Sequence, residues 1–142
     1  MYQNGIQSYQ KTNVTTADPG RLVLMCYEGA ISNLKIAREK YASNEYETKT
    51  KAIQKVQEIL TLLMQSLNFE KGGNIARSLD ALYSYMLRRI LEADIKKDIK
   101  IIDEIIYFLE ELESAWEEIS HTSENAGLIR DTGQEKQVEA AV

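Results

Sequence analysis

The chain has 142 residues, a net charge of −5, one cysteine, one histidine, one proline and seven glycines. That length suits one domain with a sizeable core, and so few turn-forming residues favour long helices. Cys26 alone cannot form an internal disulfide and reads as a small core residue, and the acidic balance argues against nucleic acid as the main partner. No apolar run approaches the roughly 18 residues of a membrane span, and the N-terminus lacks the pattern of a secretory leader, so the expectation is a cytoplasmic protein without membrane insertion.

Residues 1–17 are polar, with Ile6 and Tyr9 as isolated larger side chains, and read as a flexible N-terminal arm. Asp18 before Pro19 makes a helix start, the carboxylate as N-cap and the proline in the first turn, where its missing N–H costs nothing. From there Val23, Tyr27, Ala30, Leu34, Ala37 and Tyr41 alternate at spacings of four and three, the seam of a helix running to about Ala42. Asn44 with Glu47 resembles a capping box opening a second helix, with Ala52, Val56, Ile59, Leu63 and Leu67 on its seam and Ile53, Leu60 and Met64 widening it.

Gly72 and Gly73 break the pattern and read as a turn or as the end of the preceding helix. A third helix follows with Ile75, Leu79, Leu82, Met86, Ile90 and Ala93 on one line. Asp98 caps a fourth, whose stripe is Ile102, Ile105, Leu109, Leu112, Trp116 and Ile119. After His121 no useful period remains, and residues 122–142 read as a disordered tail. Four helices over residues 18–121, joined by short polar links, predict an all-α, antiparallel, up-down-up-down four-helix bundle.

Chemistry is hard to place on this chain. A di-iron bundle needs two Glu-x-x-His motifs, and the one histidine, His121, sits at the frayed end of the last helix. "EKGGN" matches no phosphate-binding loop. The glutamates at 110, 111, 113, 117 and 118 read as a solvated helix face. No enzyme, metal or cofactor is predicted.

Apolar surplus is the distinctive feature. A bundle helix needs about three apolar positions in seven, yet residues 22–27 are apolar throughout, and Leu24 and Ile31 lie off the seam. The third helix adds Tyr83, Tyr85 and Leu87, and the fourth adds Ile101, Ile106, Tyr107 and Phe108. Such a set predicts surface grooves that hold amphipathic helices of another chain, with the arm bearing Ile6 and Tyr9 as their cover. A general helical adaptor or homodimerisation module would use the same surface.

Four blocks, "YQKTNVTTADPGRLVLMCYEGA", "KVQEILTLLMQSLN", "GGNIARSLDALYSYMLRRILEAD" and "LEELESAWEEI", resemble the flagellar secretion chaperone (FliS) family in order and over most of the chain. The resemblance implies a cytoplasmic four-helix bundle that binds the disordered C-terminal region of flagellin in apolar grooves and delivers it, unpolymerised, to the type III export gate without ATP or metal. It places Tyr9 in an arm that client can displace. Leu22, Leu24, Tyr27 and Gly29 match the family's "LxLxLYxG" block, and Ile75, Leu79, Leu82, Tyr83 and Tyr85 its third-helix block. Ile31 joins this partner-binding set by position. Cys26 and Glu28 depart from the family's more frequent Leu and Asp.

Overall fold

The computed structural model describes residues 19–119. Ile6, Tyr9, Asp18 and His121 lie outside them, so the arm, the first N-cap and the last histidine have no structural account. Four helices fill the described chain: α1 (Pro19–Ala42), α2 (Tyr46–Gln65), α3 (Phe69–Lys96) and α4 (Ile99–Ile119). Each packs on its neighbours in sequence, and α1 also meets α4, which closes a four-helix bundle.

Contacts at the two ends fix the alternation of direction. At one end Trp116 Nε1, late in α4, donates to the Gly20 carbonyl at the start of α1 over 2.9 Å. At the other, Arg38 near the end of α1 bonds Asp103 near the start of α4 at 2.7 Å, and Asp94 of α3 receives Tyr41 of α1 and Lys49 of α2. Helices joined by such short links must run antiparallel, as the sequence predicts.

The seams of α1 and α2 are buried along their length. Those of α3 and α4 are buried at Met86, Ile90, Ala93, Ile102, Ile105, Leu109 and Trp116. The start of α3 departs from expectation: Ala76 and Tyr83 are buried, Leu79 and Leu82 only pack against the core's edge, and Ile75 is 62% exposed. The cause is local. Asn68, not a residue after the glycines, caps α3 by accepting from the Lys71 N–H at 3.0 Å, and the glycine pair falls inside the helix. Gly73, at φ 51° and ψ −128°, then kinks it.

The capping box at Asn44 is also corrected. Asn44 takes the left-handed conformation at φ 61° and ends α1 instead of starting α2. The Glu45 N–H bonds the Lys40 carbonyl at 2.9 Å and the Asn44 N–H that of Tyr41 at 3.2 Å, the paired bonds of a Schellman motif. Glu45 occupies the N-cap position of α2 without a side-chain cap. Asp98, by contrast, accepts from the Lys100 N–H at 3.0 Å and caps α4.

The apolar run at the start of α1 is enclosed on every side: Leu22, Val23, Leu24, Met25, Cys26 and Tyr27 are all buried. Leu24 and Ile31, expected off the core, are only 5% and 7% exposed. They lie one heptad apart, and the next position in that series is Arg38, which bonds α4. The flank outside the seam is thus the one on which α4 packs. Cys26, Ala30 and Ala37 supply small side chains on the opposite flank, toward α2, where the helix axes can approach closely. Burial pushes the Cys26 thiol up to about 12, which suits a packing residue.

Candidate partner-binding surface

The sequence-predicted binding residues fall into two groups. Leu22, Leu24, Tyr27 and Ile31 of α1 are buried in the bundle, as is Tyr83 of α3. Ile75 is exposed, and Leu79, Leu82 and Tyr85 are half-buried along one side of α3. Tyr27 and Tyr83 connect the groups beneath the surface: their hydroxyl oxygens lie 2.6 Å apart and their rings are tilted at 52°. Burial raises both phenols well above their ordinary value, so each stays protonated.

The open residues of α3 form one wall of a groove whose other wall is α4. Tyr85 donates to Glu104 Oε1 at 2.7 Å, and its ring meets Phe108 edge-on at 6.2 Å between centroids. In an antiparallel pair this register sets Leu82 and Leu79, a turn or two earlier on α3, level with the part of α4 that carries Leu112. Ile75 follows toward Ile119. Phe108, Leu112 and Ile119 are half-buried, like their partners across the groove. The positions between, Ser78 and Ala81 on α3 and Ala115 on α4, are small and exposed, leaving room for a helix to settle onto the apolar floor.

A polar clasp closes the groove at Tyr85. Arg89 bonds Glu104 at 3.2 Å and Glu92 at 2.6 Å, and Glu92 also receives Lys96 at 2.8 Å. These bonds raise the Arg89 guanidinium, with Glu104 contributing most, and lower the Glu104 and Glu92 carboxyls. Every charge in the clasp is satisfied within the protein. The groove therefore offers apolar surface along Ile75 to Tyr85 and a defined polar stop, an arrangement suited to seating a helix.

Phe108, Leu112 and Ile119 were readable from sequence only as helix-four seam or surplus, without the groove they complete. Arg89 and Glu104 left no sequence signal, being on different helices. Among the described residues no cluster of His, Cys, Asp and Glu could hold a metal ion, and no helix is long and apolar enough to cross a membrane.

Comparison with known proteins adds the family. The model of the flagellar protein FliS matches residues 2–123. The chain is similar to the flagellar secretion chaperone FliS of Bacillus subtilis, at 34% identity over 82% of this chain and 86% of that protein. It is also similar to the flagellar secretion chaperone FliS of Salmonella typhimurium, at 35% identity over 82% of this chain and 90% of that protein. The Vibrio cholerae protein of the same name is 31% identical over 82% of this chain and 89% of its own length. A bundle of this topology, matched over most of its length by that model and by these relatives, belongs to the FliS family of flagellar proteins.

Proposed function

We propose that this protein is a cytosolic export chaperone for flagellin, holding the disordered C-terminal region of the subunit on its helical bundle. In this reading the bound subunit stays unpolymerised until the type III export gate receives it. The observation that carries the reading is the α3/α4 groove, where Ile75, Leu79, Leu82 and Tyr85 face Phe108, Leu112 and Ile119 without full burial. The names of its relatives, flagellar secretion chaperones, support the same class of partner.

Binding of this kind couples folding to recognition. A disordered client loses conformational freedom when it becomes helical, and apolar anchors at i, i+3, i+4 and i+7 entering the groove must more than offset that loss. The margin stays small enough for a competing export component to remove the client. The arm bearing Ile6 and Tyr9, outside the described residues, is proposed as the cover that client displaces. Leu22, Leu24, Tyr27, Ile31 and Tyr83 act from beneath, holding α1 and α3 in place.

Mixing the protein with a flagellin C-terminal peptide tests the reading, with circular dichroism following helix and sedimentation following stoichiometry. A gain in helix together with a one-to-one complex is expected. Spectra that simply add, with the two species sedimenting apart, would overturn it.

A further inference from the structure

The other flank of α3 is also apolar. Leu87, Leu91 and Ile95 follow one another at intervals of four, on the side turned toward α2 and away from Glu104. Leu87 is half-buried, Leu91 is 54% exposed and Ile95 is 73% exposed. Tyr46, 45% exposed in the first turn of α2, belongs to the same surface. Two contacts set that register: Lys49 bonds Asp94 at 2.7 Å, and Lys97 Nζ lies 5.4 Å from the centre of the Tyr46 ring. The first turn of α2 thus stands beside the last turn of α3.

The charges around this strip are one-sided. Arg88 is exposed and sits three residues before Leu91 and seven before Ile95, on the same face. Lys97 stands at the far end over Tyr46. On the exposed side of α2, Thr50, Gln54 and Thr61 are uncharged, and the exposed Glu58 lies level with Tyr85, beyond the Leu87 end of the strip and far from Lys97. Nearby carboxylates are engaged: Asp94 by Lys49 and Tyr41, Glu47 by Lys51, and Glu92 by Arg89 and Lys96. Asp80 lies one heptad before Leu87, beyond the strip. The apolar strip therefore has a cationic edge, the reverse of the α3/α4 groove, whose α4 edge carries the exposed glutamates 111 and 118.

We propose that the α2/α3 strip is a second docking surface, separate from the α3/α4 groove, for a short amphipathic helix with acidic flanking residues. Leu87 to Ile95 covers about 12 Å of helix, so the partner contributes about two to three turns. Its apolar anchors rest on Leu87, Leu91, Ile95 and Tyr46, and its carboxylates meet Arg88 and Lys97. A helix with basic flanks would set like charges against those two cations and bind less well.

The test uses two synthetic helical peptides with identical leucine anchors, one flanked by Glu and the other by Lys, titrated by fluorescence anisotropy into the full-length protein. The Glu-flanked peptide is expected to bind about tenfold more tightly. Ile95→Ser is expected to weaken it about tenfold without moving the thermal midpoint, because the side chain is mostly exposed. Arg88→Glu should erase the preference between peptides, Ile75→Ser should leave binding unchanged, and a flagellin C-terminal peptide should bind alongside without displacing the probe. Equal affinity for the two peptides, loss of binding in Ile75→Ser instead of Ile95→Ser, or displacement by the flagellin peptide would each overturn the proposal. Failure of the flagellin peptide to bind at all would count against the client reading alone.

Discussion

The hydroxyls of Tyr27 and Tyr83, 2.6 Å apart and buried, tie α1 to α3 across the bundle. Removing one hydroxyl leaves the other without that partner in an apolar surrounding, whereas removing both leaves none to satisfy. Tyr27→Phe and Tyr83→Phe are each expected to cost about 1–3 kcal/mol, and the double variant less than their sum. Denaturant midpoints of the three proteins, read as a double-mutant cycle, check this.

Leu24 packs as part of the core, so its truncation should resemble that of a seam residue. Leu24→Ala and Leu34→Ala are each expected to cost about 2–5 kcal/mol. An aspartate at either position buries an unpaired charge and should unfold the protein. Circular dichroism of Leu24→Asp at room temperature distinguishes this from a surface role, which would leave the helix signal intact.

Asp94 gives stability an acid limit. Burial pushes its carboxyl up, but hydrogen bonds from Lys49 and Tyr41 outweigh that and hold it below its ordinary value. A carboxyl lower in the folded state than the unfolded value of about 3.9 contributes fully above that value. The contribution is lost as pH falls through the folded value. Asp94→Asn should therefore flatten the acid side of the stability profile below about pH 4, measured as urea midpoint against pH.

Gly73 has a positive φ with open space where a Cβ would stand. The cost of Gly73→Ala is then backbone strain without a clash, about 1–3 kcal/mol, because φ 51° with ψ −128° lies outside the left-handed helical region and suits glycine. Thermal unfolding should fall by a few degrees, with the helix content of the folded state unchanged.

Periodicity made most of the bundle legible. The series from Val23 to Tyr41 and from Ile102 to Trp116 identifies buried faces because one helix repeats its face at intervals of three and four. Leu24 and Ile31 escaped that logic, since a single helix's period cannot tell how far round its circumference a neighbour reaches. The contact that decides it, Arg38 to Asp103, joins residues 65 apart. Asn44 departs from expectation for a different reason: asparagine suits both an N-cap and a left-handed helix end, and the Lys40 and Tyr41 carbonyls select the second. Of the candidate surface, Tyr85 is visible as surplus, whereas Ile75, Leu79 and Leu82 read as seam residues that only the family resemblance assigns to binding, and the clasp of Arg89 and Glu104 depends on a register between helices that no local pattern encodes.

In the proposed function the open side of α3 holds the client while α1 holds the fold. Isothermal titration of a flagellin C-terminal peptide into wild type and Ile75→Asp tests it most directly, because Ile75 is 62% exposed and its replacement should leave the thermal midpoint in place. Binding to the variant is expected to be at least about tenfold weaker at an unchanged midpoint. Wild-type affinity in a folded Ile75→Asp protein would contradict it.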